Sequence, residues 1–302
     1  FFFFRGTGKT YGALDLCRKI GVGELKLDDT VDDNKFLYLR RTRTEAETVG
    51  SPEASPFKVY NRNEGYEITS DFSFKLGFGN FYLDAEKTKH IGYCAGLSTF
   101  SNLRGVDFSD VNFILYDECI PENKNKRPLK DEGYLFLNML ETINRNRAIE
   151  GKPEVIVCLL SNPIDLGSDL LAQLQLTGIL NSMIFKNQEK YTDPNRSLHI
   201  EKYKDHKVSA EKAKSAIYRF GAGTGFNERA LSGDFVDNDL ELVKKVNLTE
   251  YFAYFSLANI YVYQHKSNGT YHISQTANPA KYTFKENEKD KVRALFYWLY
   301  KI

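Results

Sequence analysis

Phe1-Phe2-Phe3-Phe4-Arg5-Gly6-Thr7-Gly8-Lys9-Thr10 opens the chain, and Tyr11-Gly12-Ala13-Leu14-Asp15-Leu16-Cys17 follows it. Four apolar residues read as a strand, the glycines as a turn and the later residues as a helix. With Gly8-Lys9-Thr10 at the junction, this is the end of a phosphate-binding loop, G-x-x-x-x-G-K-[ST]. Glycines let backbone N–H groups curl round a phosphate, and the helix N-terminus adds positive dipole. Lys9 is placed to reach the β- and γ-phosphates, and the Thr10 hydroxyl to sit on Mg²⁺. The expected ligands are therefore ATP and Mg²⁺, with Arg5, Gly6, Thr7, Gly8, Lys9 and Thr10 as the nucleotide-binding set. The pattern asks for Gly at position 3, where Phe3 stands. The chain starts inside the strand that feeds this loop and has no initiator Met. Residues upstream, or between the Phe run and Arg5, are therefore expected to be missing. The plain alternative is a Gly-rich turn without a ligand.

Working outward, the next decisive stretch is Val111-Asn112-Phe113-Ile114-Leu115-Tyr116-Asp117-Glu118, a hydrophobic strand closed by two acids. A carboxylate there can hold Mg²⁺ through water, and this is Asp117. The acid beside it can polarise the attacking water, and this is Glu118. Two solvated acids at a strand end would be the plain reading. Downstream of a phosphate loop, the pair points to NTP hydrolysis, provided the two segments lie close enough to share one cation.

Three basic segments accompany these motifs. Lys35-Phe36-Leu37-Tyr38-Leu39-Arg40-Arg41-Thr42-Arg43 reads as a buried strand ending in arginines. In open α/β sheets functional groups collect at strand C-termini, so Arg40, Arg41 and Arg43 either solvate a loop or contact phosphate or DNA. Pro121-Glu122-Asn123-Lys124-Asn125-Lys126-Arg127-Pro128 is a surface loop or, through Lys124, Lys126 and Arg127, a backbone-tracking one. The helix Tyr134–Ile143 ends in Asn144-Arg145-Asn146-Arg147. Its arginines either complement the helix dipole or supply an arginine finger. Val155–Leu160 is an apolar strand running into Ser161-Asn162-Pro163, where a polar residue can sense the γ-phosphate.

Composition narrows the class. The 302 residues suit two domains, and 42% hydrophobic content suffices for real cores. A net charge of +1 excludes a uniformly basic DNA coat, so nucleic-acid contact would need local patches. Cys17, Cys94, Cys119 and Cys158 form no C-x-x-C pair, which argues for reduced thiols in a cytosol. No apolar run approaches the roughly 20 residues of a membrane span.

The remaining segments set the domain plan. Residues 57–96 alternate apolar and polar side chains and read as short strands beside the main sheet. The polar residues 191–230, including Gly221-Ala222-Gly223-Thr224-Gly225, read as linker. Beyond them, residues 231–302 form a smaller α/β domain. Its first strand is Tyr251–Gln264, Ser267-Asn268-Gly269-Thr270 is a hairpin turn and Tyr271–Ser274 the return strand. Val292–Tyr300 reads as a helix that runs off the end, so the C-terminus is also expected to be trimmed.

In sequence order these motifs resemble the double-stranded DNA packaging ATPases (terminase large subunit-like encapsidation proteins) of φ29-type podophages. The resemblance covers nearly the whole chain. It is most specific in Arg5–Thr10, Phe36–Arg41, Asp117-Glu118, Asn144–Arg147 and Leu160-Ser161-Asn162. It implies a P-loop NTPase domain over 1–190 of the additional-strand, catalytic-glutamate type, with a mainly parallel sheet flanked by helices. An RNase H-like C-terminal domain would follow. It implies a motor that uses ATP to move double-stranded viral DNA into a procapsid in the host cytoplasm. Its implied partners are a homo-oligomeric ring, usually a pentamer, the portal or connector, and a packaging RNA; no membrane is involved. By the same resemblance Lys9 and Glu118 are catalytic, Thr10 and Asp117 hold Mg²⁺, and Arg145 is a finger entering a neighbour's site. Arg104 and Arg147 are further trans-acting candidates, and Arg43 points into the DNA channel. Arg5 matches the arginine typical of packaging motors. Ser161 and Asn162 form the coupling position, Asn162 linking hydrolysis to lid movement.

A two-metal nuclease needs several converging carboxylates. Tyr251–Gln264 contains no Asp or Glu, and Asp234, Asp237, Asp239 and Glu241 cluster on one loop. The C-terminal domain is therefore expected to be vestigial, without cleavage activity. The alternatives are a headful terminase with a live nuclease, and a non-catalytic adaptor that uses ATP only to assemble.

Overall fold

A computed structural model describes residues 2–3, 8–27, 29, 34–103, 105–120, 129–145, 147–162, 168–203, 210–211, 213–223, 247–257, 260–267, 271–274 and 277–284. The chain divides into two compact units, Phe1–Asn238 and Asp239–Ile302. Among the described residues no helix is long and apolar enough to cross a membrane.

The larger unit is built on a six-stranded sheet. Its strands are β2 (Lys35–Arg40), β3 (Thr69–Ser73), β4 (Phe78–Tyr82), β5 (His90–Gly96), β6 (Val111–Asp117) and β7 (Ile156–Leu160). Their order is β3-β4-β5-β2-β6-β7. β5, β2, β6 and β7 run parallel, while β3 and β4 form an antiparallel hairpin on one edge. β2 and β6 are buried along almost their whole length because both sheet faces are covered, the usual condition of a parallel sheet. Strand alternation divides the core. Phe36, Tyr38, Phe113 and Leu115 face α1 (Lys9–Val22) and α3 (Phe57–Glu64). Leu37, Leu39, Ile114 and Tyr116 face α4 (Glu132–Asn144), α5 (Asp169–Gln173) and α6 (Thr177–Phe185).

Local chemistry fixes the helix that matters most. α1 starts at Gly8, whose φ of 80° is a left-handed conformation that glycine adopts without a Cβ penalty. It stops at Gly23, also left-handed at φ 85°, whose N–H caps the Ile20 carbonyl. Near its C-terminal end α1 lies so close to β5 that a Cβ on Gly21 would meet the Ile91 carbonyl oxygen at 2.6 Å.

Three expectations are corrected. Residues 190–203 are not linker: they form β8 (Lys190–Asp193) and β9 (Leu198–Tyr203), an antiparallel pair. β9 in turn pairs in parallel with β1 (Phe2–Phe3), making a three-stranded sheet β1-β9-β8. The polar side chains of 190–203 alternate with partly buried ones on strands of a small sheet open to water on one face, which composition confuses with linker. Secondly, Arg43 does not end the β2 strand. It starts α2 (Arg43–Gly50), behind a capping box made by Thr42 and Glu45. Thirdly, Tyr251–Gln264 is not one strand.

In the smaller unit that stretch is two strands, β10 (Tyr251–Leu257) and β11 (Ile260–His265), paired antiparallel. Fourteen extended residues would span about 46 Å, far beyond a usual strand of 5–6 residues. β12 (Tyr271–Ser274) continues the meander, and β13 (Tyr282–Phe284) lies parallel to β10 on its other side, giving the order β12-β11-β10-β13. A small core of Tyr254, Phe255 and Val262 holds it. The residues assigned above to the acidic loop (234–241), to most of the Ser267–Thr270 turn and to the C-terminal helix (292–300) lie outside the described residues.

Candidate active site

The phosphate-loop helix and the acid pair meet. At the first turn of α1 the Thr10 hydroxyl lies 3.3 Å from Asp117 Oδ2 and 3.5 Å from Oδ1. Lys9 Nζ donates to Asn162 Oδ1, just past the end of β7. β1 and β6 belong to different hydrogen-bonded sheets, but β1 comes within 8 Å of β7. Two hard oxygens, a hydroxyl and a carboxylate, thus sit together as a small divalent cation such as Mg²⁺ requires. Arg5, Gly6 and Thr7 lie outside the described residues.

Asp117 itself is 3% exposed, at the last position of β6. Its carboxylate is held from several sides. Tyr38 of the neighbouring strand β2 donates its hydroxyl to Oδ2 at 2.8 Å, and the Glu118 amide donates to Oδ1 at 3.0 Å. Burial, with Asp117 next, pushes the Tyr38 phenol well above its ordinary pKa, so it is a donor at any physiological pH. Beneath the site Cys17 and Cys158 are buried, and burial raises both thiols, Cys158 to about 11. They are inert packing rather than nucleophiles.

Glu118 leaves the strand in a left-handed conformation, φ 52°. Such a φ is costly for a residue with a Cβ and turns the side chain out, where it is half exposed. Its Oε2 accepts from Arg40 at 2.5 Å, and the same guanidinium lies 3.9 Å from Asp117 Oδ2. Burial works against the Arg40 charge, but Tyr38, Glu118 and Asp117 outweigh it and raise its pKa. The period-2 alternation of β2 therefore aims Tyr38 at one acid and Arg40 at the other. Sequence reading missed Tyr38 and placed Arg40 with the DNA contacts. The signal available was the i, i+2 spacing of two polar tips in an otherwise apolar strand.

A family model, Podovirus DNA encapsidation protein (Gp16), matches residues 3–294. The chain belongs to that family. It is 24% identical to the DNA packaging protein of Bacillus phage phi29 over 244 residues, and equally to that of Bacillus phage PZA. The aligned stretch is 80% of this chain but 63% of each relative, so it spans less than two thirds of their length. In fold it is similar to a chain of the bacteriophage Phi-29 viral genome packaging motor assembly, with a TM-score of 0.61 at 19% identity. That likeness covers 100% of this chain and 88% of the other. A chain of the Phi-28 gp11 DNA packaging motor gives a TM-score of 0.56 at 16% identity, covering 94% and 79%.

The other arginines of this encapsidation-family chain separate sharply. Arg41 is 3% exposed and bonds Glu132 bidentately, 2.8 Å to each oxygen, while the Tyr116 hydroxyl donates to the same carboxylate. It ties β2 to α4 and offers nothing to DNA, contrary to the sequence expectation. Arg147 is likewise 3% exposed. It donates to the carbonyls of Pro153, Ser109 and Val111 and to Asn112 Oδ1, so it is scaffold rather than a trans-acting group. Arg145 is exposed just past the end of α4, on the rim of an open cavity of about 180 Å³ with Asp107, Ser109 and Lys152. Arg43 is partly exposed, held by Glu47 and by the Phe74 carbonyl. Ser161 is fully buried and donates to the Asn162 carbonyl, while the Asn162 side chain accepts from Lys9. Arg104, Lys124, Lys126 and Arg127 lie outside the described residues.

Proposed function

We propose that this chain is an ATPase that drives double-stranded viral DNA into a procapsid. One observation carries the reading: Thr10 and Lys9 of the loop helix converge on Asp117 and Asn162 at the ends of β6 and β7. A nucleotide phosphate bound at Gly8–Thr10 would lie beside the two acids. Lys9 would neutralise phosphate charge, Thr10 and Asp117 would hold Mg²⁺, which supplies charge stabilisation at the transferring group, and Glu118 would orient and polarise the attacking water. β7 stands beside β6 with β1 beyond it, which supports the additional-strand, catalytic-glutamate class.

Arg145 is the proposed finger, acting in trans, and its position supports that reading. α4 starts near the acid end of the sheet and runs back about 20 Å over its 13 residues. That puts Arg145 beside Asp107 and Ser109, at the opposite end of β6 from Asp117. Lying at that end, it is placed to serve the site of a second copy rather than its own Glu118. A homo-oligomeric ring, a pentamer by family resemblance, supplies that geometry, with DNA, the portal and a packaging RNA as partners in the host cytoplasm.

For residues 239–302 we propose a vestigial RNase H-like fold. Three antiparallel strands with a fourth parallel to the first, in the order β12-β11-β10-β13, support it. The described residues of β10 and β13 carry no carboxylate. Plasmid cleavage by the pure protein with Mn²⁺ would contradict this part.

The deciding experiment is ATPase activity with and without double-stranded DNA, on wild type mixed with Arg145→Ala at varying ratios. A trans finger makes the loss steeper than the mutant fraction. Simple linear dilution removes the ring mechanism, and absent turnover in the wild type with DNA removes the motor.

A further inference from the structure

We infer that Tyr38 is a positioning residue for the metal-holding carboxylate: its hydroxyl fixes the Asp117 side chain in the orientation that Thr10 shares. Packing alone does not account for a tyrosine here. The ring is 1% exposed, lying among Phe36, Phe81, Leu115 and α1, where a phenylalanine would fill the same volume. A phenol buried this deeply loses its hydration and is tolerated because it finds a partner. That partner is Asp117 Oδ2, at 2.8 Å.

The geometry fixes the carboxylate plane. Oδ1 accepts from the Glu118 amide at 3.0 Å and Oδ2 from Tyr38, so the two oxygens are held from different strands' groups. Backbone register makes the reach possible. Tyr38 stands opposite Leu115 in the parallel β2–β6 pair, and Leu115 and Asp117 share a face, two residues apart. The phenol spans that step along the strand. The Thr10 hydroxyl approaches the same Oδ2 at 3.3 Å and Oδ1 at 3.5 Å, with the Arg40 guanidinium 3.9 Å from Oδ2. Outer groups that orient a metal-holding carboxylate tune metal affinity by about 10- to 100-fold. Asp117 acts through its oxygens and Tyr38 acts through Asp117.

This inference rests on the proposed Mg²⁺ role of Asp117, and the test separates the two. Binding of a fluorescent ATP analogue to the purified chain is titrated with Mg²⁺, and separately measured in EDTA. Wild type, Tyr38→Phe, Asp117→Asn and the double variant are compared, each checked for an unchanged circular dichroism spectrum. Tyr38→Phe is expected to leave nucleotide affinity in EDTA within about twofold and to raise the Mg²⁺ concentration for half-maximal binding about tenfold. In the Asp117→Asn background the same change is expected to add nothing, because neighbours in one network are not additive. A Tyr38→Phe shift that persists in the double variant, or no shift while Asp117→Asn shows one, overturns the positioning role alone. No shift in Asp117→Asn overturns the metal assignment and the inference with it. Should Tyr38→Phe not fold, Tyr38→Trp and Tyr38→Leu, which also lack the hydroxyl, replace it under the same criteria.

Discussion

The two ends of β6 carry similar residues and put them to opposite uses. At the C-terminal end Glu118 is half exposed, and Arg40 and Asp117 beside it are largely buried. They hold one another at distances that a ligand could rearrange. At the N-terminal end Arg147 is sealed under the chain and saturates its guanidinium on backbone carbonyls and Asn112. Two residues away, Arg145 is exposed. An arginine buried with its donors on main-chain carbonyls and a neighbouring amide is part of the scaffold. One with an unburied head is free to meet another molecule. The motif Asn144-Arg145-Asn146-Arg147 contains both kinds and does not label them.

The largest expected effect lies at the acid end. Glu118→Gln should lower ATP turnover by about 10²- to 10⁴-fold while nucleotide binding persists; steady-state turnover and a binding titration check both halves. Turnover near wild type would mean that the exposed acid beside Arg40 is not the base.

The opposite end is tested by pairing its arginines. Arg145→Ala should cost about 10³-fold in DNA-stimulated turnover and leave chemical denaturation within about 0.5 kcal/mol of wild type. Arg147→Leu should do the reverse. It strands the buried Val111 carbonyl and Asn112 side chain and should lower stability by about 3 kcal/mol, seen as a fall in the urea midpoint. If both variants lose turnover at unchanged stability, the division drawn here between scaffold and finger is wrong.

Arg41 sharpens the same point near the active end. Arg41→Leu leaves Glu132 charged and buried, and removing one partner of such a pair costs about 3–5 kcal/mol. Turnover per folded molecule should fall far less than for Glu118→Gln. The double change Arg41→Leu with Glu132→Leu should recover much of the stability, since it removes both charges.

The smallest effect is a pH dependence at the N-terminal edge. Burial first, and Lys35 next, lower the His90 pKa below its ordinary value. The unfolded chain then binds more protons than the folded one below about pH 6.5. Stability from this group is full above that pH and is lost as pH falls towards the lower folded value. Between pH 7.5 and 5.5 wild type should lose stability more steeply than His90→Gln in urea titrations; equal slopes would deny the shift.

Much of the site was legible because its chemistry is local. Gly8 must adopt a positive φ, and Lys9 and Thr10 follow it on the first helical turn. Asp117 and Glu118 close an apolar run that only a strand buried on both faces tolerates. The arginines were not legible. Arg40 and Arg41 are adjacent, and strand alternation sends one to Glu118 and the other to Glu132, on opposite faces of the sheet. Strands β8 and β9 looked like linker because about half their side chains face water.

The sequence by itself determined the glycine-led start of the Lys9–Thr10 helix, the strand closed by the acid pair and the α/β class, because each rests on backbone rules acting over a few neighbouring residues. Only the tertiary structure decided which charges are scaffold and which are available, that β1 joins β9, and that Tyr38 holds Asp117. Those outcomes depend on which strands lie side by side and how deeply a group is desolvated, and both are set by contacts between residues far apart in the chain.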